Sequence, residues 1–360
     1  MKVLFVCGTA GHDPHQRTTR ATGGILNSLT LIPEYLASQG HEVFVNSSYE
    51  PKDGYEIING VNYVASGRDI GKWDVVIFNR NVLPKDFIFY SKEIGAKVVW
   101  WLHDVVQLTY LKDDAFKYVD KVVALSNYCK QTYTDFYDIP TDKVIVIPNG
   151  VDPKIFYPGT AEQRNSQMIL TASALIKGFV PIPAVYDNLK RHNPDIDFRI
   201  YSSQKLHGME NNSSQQAFLD SMERGGAHIY HPVSPEVLGH LLRQARCLLM
   251  PNSYPEICSN LLLQAQACGC PVVTSDIGAN PEFIENEVTG IYTTKYKPHD
   301  MYSWVVEYVN KVLDVYLDNK LFETINKNAP RDVKTWNEIG RSWDELLQVV
   351  VAEHQVLQKS

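Results

Sequence analysis

One acid followed at once by a helical pattern is the feature of this 360-residue chain that most suggests chemistry. Residues 253–282 read Ser-Tyr-Pro-Glu-Ile-Cys-Ser-Asn-Leu-Leu-Leu-Gln-Ala-Gln-Ala-Cys-Gly-Cys-Pro-Val-Val-Thr-Ser-Asp-Ile-Gly-Ala-Asn-Pro-Glu. Glu256 stands where an apolar strand pattern has just ended. A helix is expected from about Cys258 to Cys268, closed by Gly269, then a strand over residues 271–274 and a polar loop leading to Glu282. The N–H groups of Ile257, Cys258 and Ser259 would open that helix, where donors lack intrahelical partners and the dipole favours an anion such as a diphosphate. Gln264 comes eight residues after Glu256, roughly 12 Å along a helix axis. That span lets Glu256 meet a sugar and Gln264 a ribose, with a diphosphate between them. An ordinary crossover helix with an incidental surface acid accounts for Glu256 alone, but poorly for the whole arrangement.

Such a crevice needs a parallel sheet to frame it. Continuous apolar runs recur along the first half: Lys2-Val-Leu-Phe-Val-Cys7, His41-Glu-Val-Phe-Val45, Asp74-Val-Val-Ile-Phe78, Lys97-Val-Val-Trp-Trp-Leu102, Lys121-Val-Val-Ala-Leu125 and Lys143-Val-Ile-Val-Ile147. Strands buried on both faces read this way. Helical patterns lie between them, the first opened by Gly23-Gly24 and closed by Gly40. The second half repeats the scheme with shorter strands, so the expected class is α/β with two domains. Residues 148–165 hold Pro148, Gly150, Pro153, Pro158 and Gly159 without sustained periodicity, and the domain boundary is placed there. The final helical pattern, residues 335–357, carries Trp336 and Trp343, which demand a deep apolar partner.

Composition excludes several classes. The chain is 44% hydrophobic and 21% charged with a net charge of −7, which disfavours nucleic acid as the main partner. No segment approaches the ~20 apolar residues of a membrane span, although peripheral membrane contact stays open. The six cysteines show neither zinc spacing nor a disulfide ladder. Cys268-Gly-Cys270 lacks a second pair and is read as apolar packing, and reduced thiols fit a cytoplasmic protein. Residues 8–22 form a long connection carrying His12, Asp13, His15, Arg17 and Arg20, assigned to shaping an acceptor site, with a plain surface loop as the alternative.

The segment around Glu256 resembles the donor-site signature of glycosyltransferase family 4, retaining enzymes of the GT-B fold. Fragments spread over most of the chain agree with it in order. They are Gly23-Gly24 with Gly40-His41-Glu42-Val43, Leu102-His103-Asp104, and Ala124-Leu125-Ser126 followed by Lys143-Val-Ile-Val-Ile-Pro-Asn-Gly-Val-Asp152. Lys177-Gly178 and Glu285-Asn-Glu-Val-Thr-Gly290 complete the series. The resemblance implies two Rossmann-like domains with parallel sheets facing an interdomain cleft. Residues 1–157 would form the acceptor domain and 158–334 the donor domain, with a helix over 335–360 crossing back to the first.

The resemblance also implies roles. Glu256 matches the first acid of the family's E-x7-E pattern, which binds the donor sugar. Gln264 falls on the second, which binds the nucleotide ribose; an amide still accepts a hydroxyl but loses the charge-assisted bond. Lys177 would neutralise the diphosphate, His103 would contact the sugar or leaving group, and Gly23 and Gly24 would allow close backbone approach. The arginine usual shortly before the lysine is missing, since Ala172, Ser173 and Ala174 occupy that region; Lys205 and Arg243 are candidates to replace it. The implied function is retaining transfer of a sugar from a nucleotide diphosphate sugar to a glycan, lipid-linked or other hydroxyl acceptor, with no metal and no further cofactor. The alternative is a weak or inactive member that only binds a nucleotide sugar or glycan.

Overall fold

The computed structural model describes the chain apart from residues 9–11, 18–23, 66–70, 81–83, 107–113, 203–209, 295–297 and 358–360. The chain divides into two compact units. The first comprises Met1–Arg17, Gly24–Gly150 and the segment from Lys334 onward; the second comprises Val151–Val333.

The first unit runs β1 (Lys2–Cys7), α1 (Gly24–Ser38), β2 (Glu42–Asn46), β3 (Tyr55–Ile58), β4 (Val61–Val64), β5 (Val75–Asn79), α2 (Lys85–Glu93), β6 (Lys97–Trp101), β7 (Lys121–Ala124), α3 (Asn127–Tyr137) and β8 (Val144–Val146). Its sheet has the order β3-β4-β2-β1-β5-β6-β7-β8. The apolar runs form its centre because residues such as Val3, Phe5, Val75, Ile77, Val98 and Trp100 are fully buried. The sheet is parallel as expected except at one edge, where β3 pairs antiparallel with β4. Its cause is local. Asn59 and Gly60 both adopt left-handed backbone, with φ of 50° and 82°, the conformation of a two-residue hairpin turn.

The second unit runs β9 (Met168–Thr171), α4 (Ile182–His192), β10 (Asp197–Tyr201), α5 (Ser213–Arg224), β11 (His228–Tyr230), α6 (Pro235–Gln244), β12 (Cys247–Met250), α7 (Asn260–Ala267), β13 (Val272–Ser275), β14 (Ile291–Thr293), α8 (Met301–Leu317) and α9 (Asn319–Asn328). Its parallel sheet has the order β11-β10-β9-β12-β13-β14. Phe198, Leu249, Val273 and Ile291 from the strands pack with Leu189, Trp304, Tyr308 and Val312 from the helices in one apolar core. From β9 the chain moves outward to β10 and β11. It then returns to β12 on the other side of β9 and moves outward again. The junction of β9 and β12 is therefore the switch point, where the following loops part and leave a crevice.

The last helix, α10 (Trp336–Leu357), belongs to the first unit and packs along α1. Gly340 permits the approach, since a β-carbon there would lie 2.3 Å from the Tyr35 ring. Trp343 is fully buried, with its ring 4.8 Å from Trp101 and 6.5 Å from Phe5. His41 Nε2 and Asp344 Oδ1 lie 2.8 Å apart and join the start of β2 to the same helix.

Candidate functional site

Lys177 and Glu256 meet at the switch point of the second sheet. Lys177 ends a short 3-10 turn that follows β9, and Glu256 lies in the loop after β12. Lys177 Nζ and Glu256 Oε1 form an ion pair at 2.6 Å. The carboxylate is buried while the lysine side chain is 31% exposed. The pair thus offers an ammonium to solvent and keeps a carboxylate in a low-dielectric setting, where its bonds to hydroxyl donors count for more.

Glycines hold the pair together. Gly178 has φ +141°, and a β-carbon there would lie 2.0 Å from the Pro251 carbonyl oxygen. That closeness lets Ser253 N–H donate to the Lys177 carbonyl at 2.8 Å. Gly278, with φ +63°, would place a β-carbon 2.3 Å from the Glu256 carbonyl oxygen, to which Ala279 N–H donates at 2.7 Å. The loops after β9, β12 and β13 are therefore laced by backbone contacts that any side chain would break.

Buried polar atoms without hydrogen-bond partners gather at the same edge. Asn252 Nδ2 and Ser275 Oγ have none, and Glu256 Oε1 has only the ion pair. Buried polar groups are nearly always satisfied, so such a group asks for a partner from outside the chain. Asn252 and Ser275 escape sequence reasoning because nothing in a sequence distinguishes an unsatisfied polar residue from a satisfied one.

The helix after Glu256 differs from expectation. It begins at Asn260, with Ser259 as an N-cap that makes no side-chain capping bond. The first helical N–H groups are those of Asn260, Leu261 and Leu262. Ile257 and Cys258 lie in the bend before the helix, buried, as Ser259 is. The helix thus starts two residues later than expected, and before it the Glu256 carbonyl accepts from Ala279 N–H. Only residues 260–264 of the Glu256–Gln264 interval are helical, so the helical rise does not set that span. Gln264 is half-buried on α7.

Arg243, a candidate for the missing cation, has other work. Its Nη1 donates to the Ile155 carbonyl at 2.7 Å and its guanidinium lies 4.1 Å from the Tyr157 ring centre. Gly23, Arg20 and Lys205 lie outside the described residues, and Gly24 is the first residue of α1. Glu282 closes a short 3-10 turn and is exposed. The thiols of Cys247, Cys268 and Cys270 are buried, and burial raises the last two to about 11 and about 12.

His103 follows β6 in the first unit and is 8% exposed, with its ring 4.4 Å from Trp101. Its Nε2 is buried without a hydrogen-bond partner. Burial, and secondly the Arg80 charge, lower its pKa to about 3, so the imidazole is neutral. Arg80, which sequence reasoning passed over, grips the neighbouring Asp104 with two hydrogen bonds of 2.8 and 2.7 Å. In residues 8–22 the described part is tied down locally. His12 contacts Ser47 and Thr30 at 2.8 and 3.1 Å, and Asp13 accepts from the N–H of His15 at 3.0 Å. Among the described residues no group of three or more His, Cys, Asp or Glu is placed to hold a metal ion, and no helix is long and apolar enough to cross a membrane.

Residues 153–311 match the family described as glycosyl transferases group 1, and residues 68–155 match glycosyltransferase family 4. Over residues 153–311 the chain is therefore similar to the group 1 glycosyltransferases. The chain is 30% identical over 176 residues to a D-inositol 3-phosphate glycosyltransferase of Paenarthrobacter aurescens. The match covers 46% of this chain and 42% of that protein, so the chain spans less than half of that relative's length. Its fold is the GT-B fold. A sucrose-phosphate synthase from Thermosynechococcus elongatus superposes with a TM-score of 0.75 at 14% identity, covering 98% of this chain and 100% of the other. HepE from Anabaena, in complex with UDP and glucose, gives a TM-score of 0.71 at 16% identity, covering 97% and 100%.

Proposed function

We propose that this protein is a glycosyltransferase that moves a sugar from a nucleoside diphosphate sugar to a glycan, lipid-linked or other hydroxyl acceptor, with retention at the anomeric carbon. The observation that carries the reading is the Lys177–Glu256 pair at the switch point, 2.6 Å apart and locked by Gly178 and Gly278. The complex of HepE with UDP and glucose supports it, because a protein of the same fold takes those ligands.

The chemistry follows from the groups available. The bond between the anomeric carbon and the diphosphate oxygen breaks, and a bond from that carbon to the acceptor oxygen forms on the same face. The acceptor proton passes to the leaving phosphate. Lys177 stabilises the charge that develops there, assisted by the first N–H groups of α7. Glu256 accepts hydrogen bonds from sugar hydroxyls, Gln264 accepts one from the ribose, and Gly24 lets backbone approach a ligand closely. Neutral His103 gives and receives hydrogen bonds without adding charge. A cationic lysine and helix-end donors can do this without a metal ion, and we place the enzyme in the cytoplasm. A binding-only protein is the second reading. It is favoured by Arg243, whose guanidinium is committed to Ile155 and Tyr157 and so does not replace the absent arginine.

Thermal-shift screening with UDP, GDP, ADP and their glucose conjugates identifies the donor, and release of the nucleoside diphosphate is then followed. Lys177→Ala and Glu256→Gln are each expected to lower turnover about a hundredfold or more, the scale of removing one group that stabilises developing charge. Lys177→Ala also leaves a buried carboxylate unpaired, so its melting temperature is measured beside its rate. Wild-type turnover in both folded variants overturns the assignment. Stabilisation by a nucleotide sugar without turnover establishes the binding-only reading.

A further inference from the structure

Arg80 adopts a conformation that its side chain does not favour. It follows β5 directly and has φ +64°, in the left-handed region that non-glycine residues rarely occupy. Strain of this kind persists only where surrounding contacts over-determine it, and it gathers at functional sites. Several of the Arg80 contacts run to the residues around His103. Arg80 N–H donates to the Trp101 carbonyl at 2.9 Å, and the Arg80 carbonyl accepts from Trp100 Nε1. The guanidinium binds both oxygens of Asp104, whose side chain is 12% exposed. The Asp104 carbonyl in turn accepts from Tyr133 Oη at 3.0 Å. On the other side of the histidine, Leu102 N–H donates to the Val123 carbonyl at 2.9 Å. His103 is thus anchored through both neighbours, while its own Nε2 is buried without a partner.

We propose that Arg80 is a positioning residue, whose two-pronged grip on Asp104 holds His103 at the carboxyl edge of the first sheet with Nε2 available to a sugar hydroxyl. This rests on the reading of His103 as a substrate contact. A planar guanidinium suits the task, because it fixes orientation as well as distance.

Two measurements test it on the full chain. The first needs no ligand. With histidine-selective 15N labelling, the His103 imidazole resonances are assigned by their loss in His103→Gln. Arg80→Gln and Asp104→Asn are expected to shift or broaden them and to spare most of the other histidines. Unchanged His103 resonances in both variants overturn the proposal, and Asp104→Asn, close to isosteric, serves alone if Arg80→Gln fails to fold. The second is a kinetic cycle with UDP-, GDP- and ADP-glucose offered in turn. Arg80→Gln is expected to lower kcat roughly tenfold or more with little change in KM, and to cost nothing further in the His103→Gln background, since groups acting as a unit are non-additive. Losses that multiply instead assign Arg80 a merely structural role and overturn the proposal. Wild-type turnover in His103→Gln overturns the reading of His103 itself, an outcome the resonance data keep distinct.

Discussion

Two buried imidazoles give the first unit a defined response to acid. Burial depresses His103 to about 3, with the Arg80 charge second, and depresses His12 to about 4 against the opposing pull of Asp13. In the unfolded chain both sit at 6.5. Below that value the unfolded chain takes up protons that the folded chain refuses, so stability is full above 6.5 and is lost as pH falls toward the folded values. The slope is at most about 1.4 kcal/mol per pH unit for each group. Calorimetry across this window should show the wild type losing stability more steeply than His12→Gln or His103→Gln, measured separately. Equal slopes in all three would remove the imidazoles as the cause. At this scale the sequence marked candidate residues but not their state. His103, Glu256 and Lys177 were legible by type and context. The unsatisfied atoms of Asn252 and Ser275, and the clamp from Arg80, depend on neighbours far away in the chain.

Glycines at element ends decide how accurately those residues are held. Gly278→Ala must place a methyl 2.3 Å from the Glu256 carbonyl oxygen at a φ of +63°. Strained backbone of this kind costs of order 1–3 kcal/mol, and relieving the clash moves Glu256. Gly40→Ala is the control, because its φ is +86° but a β-carbon meets nothing within 4 Å. Both variants should lose thermal stability, whereas only Gly278→Ala should lose donor turnover. Comparable turnover in the two would show that the Gly278 contact does not position Glu256. The elements themselves were largely readable, because strands buried on both faces leave unbroken apolar runs. The β3–β4 hairpin was passed over although Asn59-Gly60 between Ile58 and Val61 is a strong turn signal. The start of α7 lies two residues later than about Cys258, a difference within the usual uncertainty of a helix end.

The units differ in how the chain builds them. Among the described residues the second is drawn from Val151–Val333 and closes its own apolar core, while the first needs the segment from Lys334 onward. A fragment of residues 151–333 should therefore fold by itself and bind the nucleoside diphosphate that stabilises the full chain, because it carries both Lys177 and Glu256. Circular dichroism and titration calorimetry check this; a fragment that stays unfolded would show that its core is not self-sufficient. The sequence by itself determined the class, the two-unit plan and the candidate segment around Glu256. Buried strands, helix signals and Pro/Gly-rich junctions are local patterns, and each leaves its mark within a few residues. Tertiary structure alone decided the pairing of Lys177 with Glu256 and the clamp on His103. Each joins loops distant in sequence, and their contact depends on strand order and backbone closeness, which no local pattern encodes.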